Sequence, residues 1–154
     1  MSHQKLIKEY VADALRTNNL AVLATEGDGQ PHASLIAVTP MADFTNLIFA
    51  TYRNTRKYHN LINNGKVAIL FENRSTKSIS QPDINVVTAF GMANEVDITL
   101  TDLALQAHLL GHPELEVFIH SADCALFQVK VYAYQMVRGI DDVNWWKLNE
   151  LESE

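Results

Sequence analysis

The chain has 154 residues, 47% hydrophobic and 19% charged, a balance that predicts one folded domain and excludes disordered or collagen-like chains. No apolar run approaches the ~20 residues needed to span a bilayer. Met1-Ser2-His3-Gln4 opens no signal peptide, and the single cysteine, Cys124, excludes an internal disulfide framework or a thiolate-rich zinc site, so the sequence predicts a reduced, cytoplasmic protein. Its net charge of −6 repels nucleic acid and anionic lipid unless positive charge is concentrated locally.

From Gln4 to Asn18, Ile7, Tyr10, Val11, Ala14 and Leu15 form one helical stripe, with Lys5, Lys8, Glu9, Asp13 and Arg16 on the wet side. Residues 1–19 are thus an N-terminal helical packing element. Leu20 to Thr25 then reads as an apolar strand, and Gly27-Asp28-Gly29 as a hairpin turn into a second strand from His32 to Thr39. Leu47 to Thr51 is the third strand. A short helix runs from about Thr55 to Asn63, with Asn64-Gly65 as a left-handed stop. Lys66 to Glu72 is the fourth strand, residues 73–83 a loop, and Asn85 to Asp97 the fifth, bent or bulged at Gly91. Thr101-Asp102 caps a helix that ends at Gly111, and His112-Pro113 starts another with Leu115, Phe118 and Ile119 inside. In the last long strand Ala125, Phe127, Val129, Val131 and Ala133 face one way and Gln128, Lys130, Tyr132 and Tyr134 the other. Residues 148–154 read as an acidic tail, and Asp141-Asp142 as solvated surface.

Six strands joined early by short turns predict a mainly β protein with peripheral helices, an antiparallel barrel or sandwich. The first, third and fourth strands are apolar on both faces, although an antiparallel sheet normally leaves one face polar. Their outer face must therefore be covered by the helices or by a second copy of the chain, and the reading favours a homodimer.

The segment with chemical content is Arg53-Asn54-Thr55-Arg56-Lys57, three cations within five residues of an acidic protein. A cation in the first turn of a helix is unfavourable by ~0.3–1 kcal/mol, because the macrodipole is already positive there. An anion reverses that: free first-turn amides, the Thr55 hydroxyl or Asn54 amide, a guanidinium and an ammonium together make a phosphate site. The alternative is a solvated surface cluster.

Two motifs at the right separation resemble the flavin-binding split β-barrel family related to pyridoxamine 5′-phosphate oxidase. One is Gly29-Gln30-Pro31-His32-Ala33-Ser34-Leu35-Ile36-Ala37-Val38. The other is Leu47-Ile48-Phe49-Ala50-Thr51 followed by Thr55-Arg56-Lys57 and Leu61. The resemblance implies a six-stranded antiparallel split β-barrel of Greek-key connection, homodimeric, with FMN at the subunit interface. It implies that Arg56 and Lys57 clamp the 5′-phosphate with Thr55, and that Thr51 and Ala50 border the phosphate and ribityl chain. The backbone of Ser34, Leu35, Ile36 and Ala37 would then run along the isoalloxazine ring. The chain departs from the vitamin B6 oxidases themselves. Ser34 stands where they place an arginine, Thr39 where they place a lysine and Val86 where they place a polar residue, and no Arg-x-His follows near the C-terminus.

The resemblance thus implies an FMN-dependent oxidoreductase other than a true pyridoxamine 5′-phosphate oxidase, with a small-molecule substrate or electron donor and no catalytic residue assigned. A non-catalytic flavin, deazaflavin or haem module of the same fold is the alternative. A nucleic-acid-binding barrel using the 53–57 patch conflicts with the overall charge. His108 and His112 read as a satisfied surface pair rather than metal ligands, Cys124 as core despite His120 and Asp123 nearby, and Trp145-Trp146 as a plug at the barrel end or a stack on a neighbour's flavin. No Gly-x-Gly-x-x-Gly follows a strand, so no Rossmann site is expected.

Overall fold

In the computed structural model, which describes residues 3–18, 20–41, 43–75, 83–97, 102–139 and 141–148, the N-terminal stripe folds as α1 (His3–Thr17). It buries Ile7, Val11, Ala14 and Leu15, as its spacing predicts. β1 (Leu20–Gly27) turns into β2 (Gln30–Pro40) through Asp28 and Gly29, both at positive φ (53° and 81°). That is a two-residue turn whose twist matches the flanking strands. β3 (Asn46–Tyr52), α2 (Arg56–Asn63), β4 (Lys66–Ser75) and β5 (Asp83–Val96) follow. Next come α3 (Asp102–Gly111), a 3-10 turn (Pro113–Leu115), α4 (Glu116–Ile119), β6 (Cys124–Arg138) and β7 (Asp142–Lys147). No helix among the described residues is long and apolar enough to cross a membrane.

The strands lie in the order β3-β2-β1-β4-β5-β6, and β6 pairs back with β3 to close a six-stranded antiparallel barrel. β4 returns to lie beside β1 after the β1-β2-β3 meander, which is a Greek-key connection. β7 is an addition that the sequence reading missed. It pairs with the C-terminal half of β6 through a hairpin in which Arg138 bonds Asp142 at 2.8 Å. Asp142 is therefore a cross-hairpin partner rather than free surface charge. β7 also fixes the two tryptophans: Trp146 stacks on Tyr134 (5.4 Å) and Trp145 lies against Phe90 (5.6 Å).

Three local expectations change. The alternation of β6 breaks at Tyr132, because Phe90 and Gly91 of β5 pair with Ala133 and Val131, leaving Tyr132 as an extra residue. Beyond that bulge Tyr134 and Met136 turn into the core. Gly91 allows the close approach, since a Cβ there would sit 2.4 Å from the Lys130 carbonyl oxygen. At the end of α2, Asn64 is extended (φ −149°) rather than left-handed. Gly65 is needed for space: a Cβ would lie 2.5 Å from the Ala93 carbonyl oxygen. β4 and β5 also run further than expected, to Ser75 and from Asp83. Residues 76–82, Thr101 and the acidic residues 149–154 lie outside the described residues.

The two-sided strands resolve into two packing problems. Inward residues of all six barrel strands and α1 form one core. The outer faces of β3 and β6, with Ile48, Cys124 and Leu126, are covered by Leu105 and Ile119 of the α3–α4 lobe. The outer faces of β1, β4 and the N-terminal half of β2 have no such cover among the described residues, since α3 reaches only the Val38–Thr39 end of β2. Leu20 (53%) and Leu35 (63%) stand exposed there, with Leu70 on the neighbouring β4.

The same lobe corrects the reading of the histidines. His108 and His112 are buried, not at the surface. The His108 Nδ1 meets Thr39 Oγ1 at 2.9 Å, and the His112 Nε2–H donates to the Val38 carbonyl at 3.1 Å, so the pair docks α3 onto β2. Burial, helped by the nearby His112, pushes His108 down to about 4 from an ordinary 6.5. The unfolded chain takes up this proton between those values and the folded chain does not. Stability present above pH 6.5 should therefore be lost as the pH falls toward 4, by roughly 3 kcal/mol. Urea unfolding across that range checks this, and His108→Gln should flatten the slope.

Candidate functional site

The barrel is open where two strands part. β2 and β3 pair only from Val38↔Phe49 to Pro40↔Leu47. Below that, β2 stays with β1 down to Gln30, while β3 continues along β6 to Tyr52. An antiparallel ladder turns alternate residues toward each neighbour. Because the hairpin closes at Gly27↔Gln30, Ser34 and Ile36 bond toward β1, and the Leu35 backbone N–H and C=O face the gap. Ala37 stands at the closed end. Of the four β2 residues predicted to line a ring, Leu35 thus offers its backbone, Ile36 is buried in the core and Ser34 presents a side chain.

On the other side of the gap, Thr51 is buried and its hydroxyl meets that of Thr55 at 3.2 Å. Ala50 turns its side chain to the helical lobe instead, on the opposite face of β3 from Thr51. Thr55 is the N-cap of α2. Its hydroxyl donates to the Tyr52 carbonyl (2.8 Å) and accepts from the Tyr58 N–H (3.1 Å). The Arg56 and Lys57 amides keep the free positions of the first turn. α2 then crosses the opening to β1, where the buried Asn60 donates to Thr25 Oγ1 at 3.1 Å.

The three cations divide into two kinds. Arg53 is a strut: it pairs with Glu95 at 2.8 Å, donates to the Cys124 carbonyl at 2.8 Å and lies over the Tyr58 ring. Arg53 and Glu95, with Ser121, Cys124 and Leu126, also line a pocket of about 530 Å³. Neither Arg56 nor Lys57 has an acidic partner among the described residues. Arg56 is exposed, but Lys57 is half-buried, and burial lowers its ammonium below the usual lysine range. A desolvated ammonium with no counter-charge, at the positive end of a helix, is stabilised by an anion.

Orphaned polar atoms cluster in the same corner. The Ser34 Oγ, His32 Nδ1 and Asn60 Oδ1 are buried without hydrogen-bond partners, and Thr25, which Asn60 bonds, is the register partner of His32. The donor set therefore fits a ligand with a phosphate head and a polar body. The Thr39 hydroxyl is taken by His108 on the outer face of β2, so it is not offered to such a ligand. Val86, on β5, pairs with Glu72 and Val137 in register. Cys124 is a buried core thiol, raised by burial. No group of three or more potential metal ligands occurs among the described residues. The sequence reading overlooked Glu95 entirely, since a single acid near the end of a strand gives no pattern.

The fold is a six-stranded split β-barrel, and this cradle stands at its opening. The sequence profile described as pyridoxamine 5′-phosphate oxidase matches residues 7–133, and the chain belongs to that family. No curated protein matches it in sequence. Among solved structures it is similar to a heme-binding protein from Mycobacterium smegmatis, at 20% identity and a TM-score of 0.76, over 86% of this chain and 54% of the other. The chain thus spans about half the length of that protein. It is also similar to an FAD-binding protein from Mesorhizobium loti, at 14% identity and a TM-score of 0.70, covering 91% and 96% of the two chains. A third, from Clostridium acetobutylicum, is related to general stress protein 26 of the pyridoxinephosphate oxidase family. It aligns at 14% identity and a TM-score of 0.71, over 97% and 99%. At these identities the likeness is one of fold.

Lys57 gives a test that needs no ligand. Because burial penalises its charged form, the folded chain gains stability as the pH rises from its lowered pKa to the ordinary lysine value. Lys57→Met should raise the melting temperature of the ligand-free protein at neutral pH and remove that alkaline rise, as differential scanning calorimetry will show.

Proposed function

We propose that this protein is an FMN-binding flavoprotein, an oxidoreductase of the pyridoxamine 5′-phosphate oxidase-related type whose substrate is a small molecule other than pyridoxamine 5′-phosphate. The observation that carries the reading is Lys57, half-buried with no acidic partner among the described residues, beside Arg56 and the free amides of α2. In this reading Arg56 and Lys57 clamp the 5′-phosphate, assisted by Thr55. Thr51 supports Thr55 from β3, the Leu35 backbone bonds the polar edge of the ring, and Ser34 supplies a hydroxyl from β2. Bound FMN supplies the electron transfer, and the chain supplies orientation and charge. The departures at Ser34, Thr39 and Val86 set it apart from the vitamin B6 oxidases.

The reading also takes the protein as a homodimer with the flavin at the subunit interface. A contiguous apolar face without cover marks an interaction surface, and here Leu35 lies on β2 at the edge of the gap, with Leu20 on β1 and Leu70 on β4 continuing the face beyond it. A second copy seated there would shield both the leucines and the ligand. A haem-binding module is the competing reading, supported by the fold likeness to the mycobacterial protein. It would need an axial ligand; His108 and His112 are buried against β2, which leaves His32, with its unpartnered ring nitrogen, and the exposed His59 and His120 as the histidine candidates among the described side chains.

Purified without added flavin, the protein should be yellow or should take up FMN on titration, whereas a Soret band would identify haem instead. Replacing Arg56 and Lys57 together by alanine removes two charged hydrogen-bonding groups and should weaken FMN binding about 100-fold while leaving riboflavin affinity nearly unchanged. Light scattering should give twice 17.3 kDa for the native protein. Leu20→Glu with Leu70→Glu should shift it to the monomer and release the flavin with it.

A further inference from the structure

One carboxylate holds both ends of the phosphate-binding turn. Glu95 stands on β5 opposite Phe127 of β6. Its Oε2 accepts from Arg53 Nη2 at 2.8 Å, and its Oε1 accepts from the Tyr58 hydroxyl at 2.8 Å. Arg53 lies two residues before the cap, Thr55, and Tyr58 directly after Lys57, so the bridged pair brackets the residues that would grip a phosphate. Each end is fastened further. The Arg53 N–H donates to the Asp123 carbonyl at 2.8 Å, its guanidinium reaches the Cys124 carbonyl, and the Tyr58 ring sits edge-on to Phe127 at 5.9 Å. The Tyr58 N–H is also the donor that Thr55 caps.

From this arrangement we infer that Glu95 is a positioning residue for the phosphate grip, setting the preference for a phosphorylated over an unphosphorylated ligand. The inference rests on the phosphate-binding role proposed for Arg56 and Lys57. Glu95 acts in two ways. It fixes the first turn of α2 against β5 and β6, so that the amides, Arg56 and Lys57 converge without reorganising when the anion arrives. It also draws Arg53 into a closed pair, and Arg53 in turn balances the Glu95 charge that bonds Tyr58 in the first turn of α2. Tyr58 couples the two effects, because its hydroxyl bonds the carboxylate while its amide bonds the cap.

The test compares FMN with riboflavin, which differ only in the phosphate, by titrating flavin fluorescence against the wild type, Glu95→Gln, Tyr58→Phe and the double variant. Circular dichroism verifies the fold of each. The expected result is about a tenfold loss of FMN affinity in Glu95→Gln. A smaller loss is expected in Tyr58→Phe, the double variant should be no worse than Glu95→Gln alone, and riboflavin affinity should hold within about twofold throughout. Equal losses for both ligands would reduce Glu95 to a fold-stabilising residue and overturn the inference. So would an unchanged FMN-to-riboflavin ratio, or a gain in FMN affinity on removing the charge. If Glu95→Gln fails to fold, Tyr58→Phe alone decides by the same ratio. A wild type that binds the two flavins equally would instead sink the phosphate-site reading, a result distinct from any of these.

Discussion

The constraint on which this structure turns is that β6 must serve three neighbours. Its first half pairs with β3, its second half with β7, and nearly its whole length with β5. By taking β3 as a partner it closes the barrel, and in doing so it draws the end of β3 away from β2. The gap that results is therefore a consequence of closure rather than a local defect. The bulge at Tyr132 lets one strand satisfy both halves: it turns Tyr134 inward, where the hydroxyl donates to the Phe44 carbonyl at 2.6 Å. Phe44 holds a left-handed backbone (φ 62°), an unusual conformation for a bulky residue.

Around that gap the electrostatics is asymmetric. Most cations of an acidic chain cost little because they face water, but Lys57 is partly withdrawn from it, with no acid assigned to it among the described residues. Arg53 only three residues before the helix has two carbonyl or carboxylate partners and is spent on architecture. The same short run of sequence thus contains one cation that builds the turn and two without an acidic partner among the described residues. Charge counting alone treats the three as equal.

Several features were legible residue by residue. The α1 stripe, the Asp28-Gly29 turn and the glycine at the β5 irregularity each follow from short-range stereochemistry, so the chain announces them without its partners. The resemblance to the flavin-binding family also rests on a contiguous stretch, and the profile match over residues 7–133 agrees with it. What was misread depended on distant contacts. His108 and His112 look like surface residues beside a helix-ending glycine until α3 is seen lying on β2. The stop at Asn64-Gly65 looks left-handed until the close approach of Ala93 shows why a side chain is excluded there.

By itself the sequence determined most of the element types and the two-faced apolar strands, because periodicity and turn chemistry act over a few residues. Tertiary structure alone decided which outer faces the helical lobe covers and which stay bare, since that depends on where α3 and α4 land. It alone separated Arg53 from Arg56 and Lys57, and recruited Glu95 from 42 residues away in the chain. A carboxylate's role is set by the groups that reach it in space, and no local pattern encodes that distance.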